Sequence, residues 1–201
     1  MIAGQANPAT PGVAPRRWTF AEMVAELPES TECAELWDGE LIMSPSPSFF
    51  HQEIVVRFHD ELRKWVTEHR LGKTGLAPLD MILSSRRVVQ PDVFFVSHQR
   101  MAILTDRLHG APDLVVEVLS PDSRRRDRID KRDLYEQHGV TEYWLVDPEA
   151  RSVEVLFLRQ GEYHLAGRWH PGDRAASALL PGFGFAVEYL FGPPDPNPPA
   201  G

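Results

Sequence analysis

Two carboxylates in the middle of the chain stand beside apolar runs that predict buried β-strands. Glu117 lies within LVVEVL (114–119), where aliphatic residues on both sides of it predict a strand buried on both faces. Asp92 follows Pro91 and opens the apolar run VFFV, and a proline at that point is typical of a strand start or a sheet edge. Because an unpaired buried carboxylate is strongly destabilising, Glu117 requires a cation, an ion-pair partner or a metal.

A lysine downstream of Glu117 is unusual for this chain. The sequence has 18 arginines and 3 lysines, and the third lysine, Lys131, interrupts the arginine-rich run RRRDRIDKRD. A compact ammonium can place a point charge beside a phosphate or a metal-bound water, whereas arginine presents a planar fork. The alternative is that Lys131 is an ordinary solvated residue on a polar helix face.

The three residues together suggest metal-assisted phosphodiester hydrolysis. Two carboxylates from adjacent strands suit a hard divalent ion, and magnesium is the physiological candidate. Such an ion activates bound water and binds a phosphate oxygen, while a nearby lysine can orient the nucleophile or stabilise the transition state. A second interpretation stays open, in which Glu117 pairs with an arginine of the 124–128 cluster and Asp92 is a turn residue, leaving an unreactive sheet.

The elements that must position these residues follow from the apolar periodicity. Residues 112–148 predict a strand, a helix that begins in the arginine run and ends at Gly139, and a second buried strand parallel to the first. Two earlier strands are predicted in LAPLDMILSS and VVQPDVFFVS, and Asp80 in the first of them has the same ambiguity as Asp92 with less support. The predicted order is therefore helix, three strands, helix and strand, with Asp92 on the second strand and Glu117 on the third.

The first helix of that order is predicted to begin after Ser48. Its apolar stripe should pack on the sheet and consists of Ile54, Val55, Phe58, Leu62, Trp65 and Val66. His51, Gln52 and Glu53 fall in its first turn, where free backbone amides favour an anion. A histidine there is more often a capping or surface residue than a ligand.

Local signals predict further elements on either side of the core. Thr19 and Glu22 form a capping box for a helix that Pro28 ends, and Asp38-Gly39 predicts a hairpin with Glu35 and Glu40 on its solvent face. After the core, SVEVLFLRQGEYHLAGRW predicts a hairpin that turns at Gln-Gly, and ALLPGFGFAVEYLF is predicted to seal one edge of the core.

Composition limits the class of protein. The 201 residues suggest one domain, residues 16–191, between Pro-rich tails at 1–15 and 192–201 that are predicted to be disordered. A single cysteine, Cys33, and the lack of a leader or long apolar run predict a cytoplasmic protein with no membrane partner. The net charge of −8 argues against coating nucleic acid by bulk attraction, but it leaves room for a nuclease with a local basic groove.

The chain closely resembles the Uma-two family of restriction-endonuclease-like proteins in several motifs that agree in order. These motifs are LWDGELIMSPSPSFFHQ, VVQPDVFFVS, PDLVVEVLSPDS and KRDLYEQHGVTEYWLVDP, and the likeness continues through LLPGFGF. The resemblance implies membership of the PD-(D/E)xK nuclease superfamily. The implied fold is α/β, with a restriction-endonuclease-like αβββαβ core, a mixed central sheet, an N-terminal hairpin and a C-terminal hairpin.

The resemblance also implies roles for individual residues. Asp92 and Glu117 become the ligands of Mg²⁺, for which Mn²⁺ can substitute, but Leu119 stands where the superfamily usually has its lysine. Lys131 on the following helix is the replacement, and Asp127, one turn earlier, either orients its ammonium or forms an ordinary i,i+4 pair. The resemblance also makes His51, Gln52 and Glu53 second-tier candidates, because the first core helix of the family can bring polar groups towards the metal. The arginine cluster is expected to contact DNA and consists of Arg124, Arg125, Arg126 and Arg128.

The sequence therefore predicts a magnesium-dependent endonuclease that hydrolyses DNA. A homodimer is one option, because symmetric dimers suit the cleavage of duplex. Two alternatives remain: an inactive module that binds nucleic acid or a partner protein, which the acidic net charge favours, and a metal-dependent hydrolase of small phosphates.

Overall fold

The computed structural model describes residues 16–27 and 33–192. The tail predicted at 1–15 lies outside the described residues, and so does the tail predicted at 192–201 apart from its first residue, Gly192. The helices are α1 (Phe20–Glu26), α2 (Phe49–Glu68), α3 (Arg132–Gln137) and α4 (Val187–Phe191), with a 3-10 helix at His98–Ile103 and a π-helical segment at Arg126–Lys131 that runs directly into α3. No helix in the described ranges is both long enough and apolar enough to cross a membrane.

Thirteen strands are found in the described part of the chain. The first seven are β1 (Cys33–Trp37), β2 (Glu40–Ser44), β3 (Gly72–Leu76), β4 (Met81–Ser84), β5 (Arg87–Val89), β6 (Val93–Ser97) and β7 (Leu108–His109). The remaining six are β8 (Leu114–Val118), β9 (Glu142–Asp147), β10 (Ser152–Arg159), β11 (Glu162–Trp169), β12 (Arg174–Ala176) and β13 (Gly184–Ala186).

The central sheet has six strands in the order β11-β10-β9-β8-β6-β3. β8 and β9 are parallel and are joined through the π-helical segment and α3, while the other neighbours are antiparallel. The buried stripe of α2, including Phe58 and Leu62, shares one hydrophobic cluster with β8, β9 and the C-terminal segment. The predicted α/β fold with a mixed sheet is confirmed.

A second sheet has five strands, in the order β2-β1-β5-β4-β7. Its β1–β2 hairpin turns at Asp38 (φ 51°) and Gly39 (φ 83°), as an Asp-Gly pair favours. Met23 of α1 packs on Leu36 and Val88 of this sheet. The predicted capping box is present, because Thr19 accepts from the Glu22 amide while the Glu22 side chain accepts from the Thr19 amide.

The prediction of VVQPDVFFVS as one continuous strand is wrong. Its first part is β5 in the five-stranded sheet and its second part is β6 in the six-stranded sheet. LAPLDMILSS is divided in the same way, since Leu76 ends β3 in one sheet and Met81 begins β4 in the other. Pro78 and Pro91 have no amide proton to donate to a strand neighbour, and each segment leaves one sheet and enters the other near its proline.

The two crossing segments lie side by side. The amide of Ala77 in the first segment donates to the carbonyl of Asp92 in the second, at 3.0 Å. Asp80, predicted within a strand, lies between β3 and β4, where it accepts from Gln90 (2.8 Å) and Arg107 (3.0 Å). The sheets therefore diverge at Asp92, which places this carboxylate at an opening of the core.

The C-terminal hairpin is confirmed and extends the central sheet. Gln160 (φ 53°) and Gly161 (φ 86°) form the turn between β10 and β11. The last segment covers α2 with Phe183, Phe185 and Leu190, which are buried in the cluster around α2. This segment seals the core edge as the sequence predicts.

Candidate active site

A cleft of about 760 Å³ opens where the two sheets diverge. Its walls come from the end of β2 and the loop after it, the first turn of α2, the two crossing segments, the end of β8 and the π-helical segment. Asp92, Glu117 and Lys131 all line this cleft. The structure thus brings together the three residues whose types suggested phosphodiester chemistry.

Glu117 is held in the cleft wall by a strand that is buried along its whole length. All five residues of β8 are buried, and Glu117 is 2% exposed. Its Oε1 accepts from Lys131 Nζ at 2.9 Å and from the Tyr135 hydroxyl at 2.5 Å. The partner that burial demanded is therefore Lys131, and the alternative pairing of Glu117 with an arginine of the cluster is wrong.

Lys131 reaches Glu117 from the last residue of the π-helical segment and is 6% exposed. Asp127, four residues earlier, has its Oδ1 3.6 Å from Lys131 Nζ; this is an i,i+4 ion pair, and a role for Asp127 in orienting the ammonium stays a prediction. The Tyr143 hydroxyl on β9 donates to the Asp127 carbonyl at 2.9 Å and fixes this segment against the sheet. The alternative of a solvated Lys131 is therefore wrong.

Glu35 of β1 is a second close partner of Lys131, and its predicted solvent position is wrong. Glu35 is buried, and its Oε1 lies 3.3 Å from Lys131 Nζ and accepts from the Gln90 amide at 3.1 Å. Its Oε2 accepts from Trp37 Nε1 at 3.0 Å. Since residues two apart share a strand face, Trp37 was a signal that this face is covered. Glu40 is exposed, as predicted.

The electrostatics of the cluster follow from four carboxylates around one ammonium. Burial raises the pKa of Glu117 well above its usual value, and burial likewise raises the pKa of Asp127. Burial by itself would lower the pKa of Lys131, but the carboxylates of Glu117, Glu35, Asp127 and Asp92 raise it well above the usual value. Lys131 is therefore an ammonium at neutral pH.

Asp92 lies at the open end of β8. Its Oδ2 accepts from the Val118 amide at 2.7 Å and lies 3.4 Å from His51 Nε2. The same His51 nitrogen is 3.0 Å from the Val118 carbonyl, so it carries the proton and donates. Burial opposes the charged form of His51, but the Asp92 carboxylate, with the Val118 carbonyl, raises the pKa of His51 above its usual value.

Of the other predicted residues in the first turn of α2, one lines the cleft and one does not. Ser48 caps the helix as predicted, and its hydroxyl accepts from the His51 amide at 3.2 Å. Gln52 is exposed and lines the cleft. Glu53 pairs with Arg57 at 3.1 Å and is not part of the cleft lining.

The arginine cluster is not gathered at the cleft. Arg124 contacts Asp147 (2.6 Å) and Glu149 (2.6 Å), and Arg128 contacts Asp147 (3.3 Å) and Glu154 (2.9 Å). Arg125 is exposed, and Arg126 lines the cleft. Of the four arginines predicted to contact DNA, one therefore lies at the site, and the contact with DNA stays a prediction for all four.

Sequence reasoning also missed Tyr135. It is four residues after Lys131 on the same helix, so both side chains lie on one face and both reach Glu117 Oε1. The spacing of four residues between Lys131 and Tyr135 was the sequence signal that could have identified Tyr135. Burial and the neighbouring Glu117 raise the pKa of the Tyr135 phenol well above its usual value, which keeps it a hydrogen-bond donor.

The donor set of the cleft fits a magnesium ion that keeps most of its own water. Within the described residues, no hydrogen bond reaches Oε2 of Glu117 or Oδ1 of Asp92. Among those residues there is also no group of three or more His, Cys, Asp or Glu side chains placed to hold a metal. Mg²⁺ commonly binds through one or two carboxylates and completes its shell with water and substrate phosphate, so this pair suits it.

The fold and the cleft define an α/β protein of the restriction-endonuclease-like class. The sequence pattern of the Uma2 (Uma-two) family, described as "Putative restriction endonuclease", matches residues 21–188, and the chain belongs to this family.

A solved structure has the same fold. It is a crystal structure described as a "putative nuclease belonging to DUF820" from Anabaena variabilis ATCC 29413, with a TM-score of 0.71 and 22% identity over 86% of this chain and 97% of that one. No curated protein matches the chain.

Proposed function

We propose that this protein is a magnesium-dependent endonuclease that hydrolyses phosphodiester bonds in DNA. Asp92 and Glu117 hold the metal, and Lys131 assists the attacking water. The observation that carries the proposal is the buried Lys131–Glu117 pair, 2.9 Å between Nζ and Oε1, in a cleft that Asp92 also lines. Membership of the Uma2 family supports the nuclease class.

The charge balance of the cluster supports a functional origin. A buried ion pair is seldom more stable than well-packed apolar side chains, because both ions lose their water. Here Glu35, Asp92, Glu117 and Asp127 all act on one ammonium, which leaves an excess of negative charge. Titratable groups with shifted pKa values in a cleft are typical of catalytic and binding sites.

The ammonium of Lys131 acts as a donor in the proposed reaction. A raised pKa keeps it protonated at neutral pH, so it cannot be the general base. It is able to donate a hydrogen bond to the attacking water or to an oxygen of the phosphate, where negative charge develops. A bound Mg²⁺ supplies Lewis-acid polarisation of the phosphate and a water of lowered pKa.

The surrounding residues fix where that ammonium points. Glu117 Oε1 and Glu35 Oε1 lie 2.9 and 3.3 Å from Nζ and approach from two different sheets. Tyr135 donates to Glu117 Oε1 and so orients the carboxylate. Catalysis by a positioned donor depends on this kind of preorganisation.

The proposal is tested on one set of variants by metal titration and by cleavage of two substrates, a plasmid and a labelled single-stranded oligonucleotide. Calorimetry should detect Mg²⁺ binding to the wild type and its loss in Asp92→Asn and in Glu117→Gln, with cleavage lost as well. Lys131→Met should keep metal binding and lose about 100- to 1,000-fold in cleavage rate, the usual effect of removing a transition-state donor. Lys73→Met, an exposed lysine of β3, is the matched control and should cleave normally.

Two results would contradict the proposal in different ways. Normal cleavage by Lys131→Met would remove this lysine from the reaction. A folded wild type that binds no Mg²⁺ or Mn²⁺ would leave the inactive binding module as the remaining function.

A hydrolase of small phosphates is the second candidate function. It is favoured by the engagement of Arg124 and Arg128 with Asp147, because these arginines would otherwise be available to duplex phosphates. Metal-dependent hydrolysis of bis(p-nitrophenyl) phosphate by a wild type that cuts no DNA or RNA would identify this activity.

A further inference from the structure

We propose that the cleft takes single-stranded or unpaired nucleic acid, with a base stacked on Phe50. This inference rests on the proposed nuclease function and specifies its substrate. It depends on the charge of the cleft lining, the apolar character of its rim and the position of Phe50 relative to Lys131.

The charge of the lining does not suit a duplex. Five acidic residues line the cleft, namely Glu35, Asp92, Glu117, Asp122 and Asp127, and its lysine and arginine residues are Lys131 and Arg126. Lys131 is already surrounded by carboxylates within 3.6 Å. Duplex binding draws most of its affinity from several phosphates neutralised at once, and two cations cannot supply that.

The arginines next to the cleft do not offset this excess of acidic residues. Arg124 and Arg128 hold the helical segment on β9 and β10 through Asp147 and Glu154, at 2.6 to 3.3 Å. Turning them towards a duplex would leave Asp147, which is buried, without its cations. A buried carboxylate that loses its partner is strongly destabilising, so these arginines are structural.

The cleft lining offers exposed apolar surface instead. The exposed apolar residues of the lining, called the rim below, are Met43, Pro45, Pro47, Phe50, Pro78 and Pro121. Phe50, in the first turn of α2, is 38% exposed, and its neighbour Phe49 is almost fully exposed. Bases stack on exposed aromatic side chains in single-strand binding sites, whereas the bases of a duplex keep their faces stacked on one another.

Size and continuity favour a nucleic acid over a protein partner at this rim. A volume of about 760 Å³ lies in the range of small-ligand pockets and admits one or two unstacked nucleotides. Phe50 and Lys131 line the same cleft, so a strand whose base lies on Phe50 can place a phosphodiester near the ammonium. DNA and RNA share this chemistry, and the test below separates them.

The test measures binding without cleavage. Fluorescence anisotropy with the Lys131→Met protein in Mg²⁺ would compare a labelled 12-nucleotide single strand of DNA, the same sequence as RNA, and its blunt DNA duplex, over a series of salt concentrations. We expect at least one single strand to bind about tenfold or more tighter than the duplex. Its salt dependence should correspond to one or two phosphates, since the cleft has few cations.

Variants at Phe50 identify the stacking residue. Phe50→Ala should weaken single-strand binding by roughly 5- to 150-fold, the range for loss of one stacked base, and Phe50→Trp should restore it. Val56→Ala is the matched control, because Val56 is 47% exposed on the same helix and does not line the cleft. Circular dichroism of each variant checks that α2 stays folded.

Each outcome separates this inference from the nuclease proposal. Tighter binding of duplex, a steep salt dependence, or no effect of Phe50→Ala would overturn the single-strand inference. If Phe50→Ala changes sedimentation and leaves binding unchanged, the rim is a contact between copies of the chain and the inference fails. Tight single-strand binding that depends on Phe50, with no cleavage by the wild type, would support the inference and overturn the nuclease proposal.

Discussion

Glu117 and Glu142 are two buried glutamates whose environments differ in kind. Glu117 has an ammonium, a phenol and three other carboxylates near it. Glu142 has four neutral donors: Trp144 Nε1 (2.7 Å), Ser177 Oγ (2.6 Å) and the amides of Ala178 (2.6 Å) and Leu179 (2.8 Å). Burial raises the pKa of both glutamates, but hydrogen bonds to both carboxylate oxygens of Glu142 oppose this effect, whereas no hydrogen bond from the described residues reaches Glu117 Oε2. The comparison predicts opposite effects of the same Glu→Gln substitution.

Glu117→Gln should abolish cleavage and leave the metal-free protein at least as stable as the wild type. The raised pKa of Glu117 means that its contribution to stability is full below the unfolded value near 4.5 and is lost as pH rises through the folded value. The stability of the variant relative to the wild type should therefore increase with pH. Urea unfolding between pH 5 and pH 8 in EDTA measures this difference, and a variant that is less stable at every pH would show that the carboxylate is structural.

Glu35 should act on the reaction through Lys131. Glu35→Gln should lower the maximal cleavage rate about 10- to 100-fold, with a smaller effect on Mg²⁺ affinity, because it leaves the ammonium less firmly oriented. In a double-mutant cycle, adding Glu35→Gln to Lys131→Met should cause little further loss. Additive losses would assign Glu35 a role independent of the lysine. Trp37→Phe, which removes the hydrogen bond to Glu35 Oε2 and keeps an aromatic ring beside Arg87, is the control.

At the scale of elements, β9 contacts both the π-helical segment that carries Lys131 and the C-terminal segment. Its Tyr143 donates to the Asp127 carbonyl, and its Glu142 accepts from Ser177 and from the two amides that follow. One strand therefore fixes both the π-helical segment that presents Lys131 and the segment that covers α2. The fold depends on this strand beyond its ladder with β8.

Glu142→Gln should destabilise the protein by about 2 to 6 kcal/mol. The side-chain amide replaces one acceptor oxygen by a donor, so two of the four donors lose their partner, and each unsatisfied buried donor costs about 1 to 3 kcal/mol. Thermal and urea unfolding beside Glu117→Gln, a substitution of the same chemistry, measure the difference. A loss below about 1 kcal/mol would mean that the segment after Ala176 rearranges to satisfy the freed donors.

At the scale of the whole molecule, the candidate site combines residues from two sheets and a helix. Glu35 comes from the five-stranded sheet, Glu117 from the six-stranded sheet and Lys131 from the helix between β8 and β9. Arg124 and Arg128 fasten that helix to the central sheet through Asp147. The cleft geometry thus depends on ion pairs outside the cleft.

These ion pairs predict the acid sensitivity of the fold. Burial works against ionisation of Asp147, but hydrogen bonds from Arg124, the Ala150 amide and Arg128 lower its pKa below the usual 3.8. The ionised Asp147 carboxylate therefore contributes to the free energy of unfolding above pH 3.8, its usual pKa, and this contribution is lost as pH falls through the pKa of the folded state. The wild type and Asp147→Asn should converge in unfolding free energy by up to about 1.4 kcal/mol per pH unit below pH 4. Parallel curves in urea titrations from pH 5 to pH 2.5 would contradict this role.

The local part of this structure was readable from the sequence. Capping at Thr19 and Ser48, the turns at Asp38-Gly39 and Gln160-Gly161, and the fully buried strand around Glu117 follow from patterns within about ten residues. The need of Glu117 for a cation also followed, because burial of a charge in an apolar strand is a local inference. Glu117 was identified in this way, whereas Asp92 and Lys131 were identified from the apolar run after Pro91, from the rarity of lysine in this chain and from the family resemblance.

Only the tertiary structure decided which groups meet at the site. The burial of Glu35, the change of sheet at Pro91 and the engagement of Arg124 and Arg128 by Asp147 all depend on which strand each segment joins. Strand partners are chosen by contacts between residues far apart in the chain, and an apolar alternation fits either sheet equally well. Local periodicity therefore fixes what each segment forms, while long-range pairing fixes what each side chain touches.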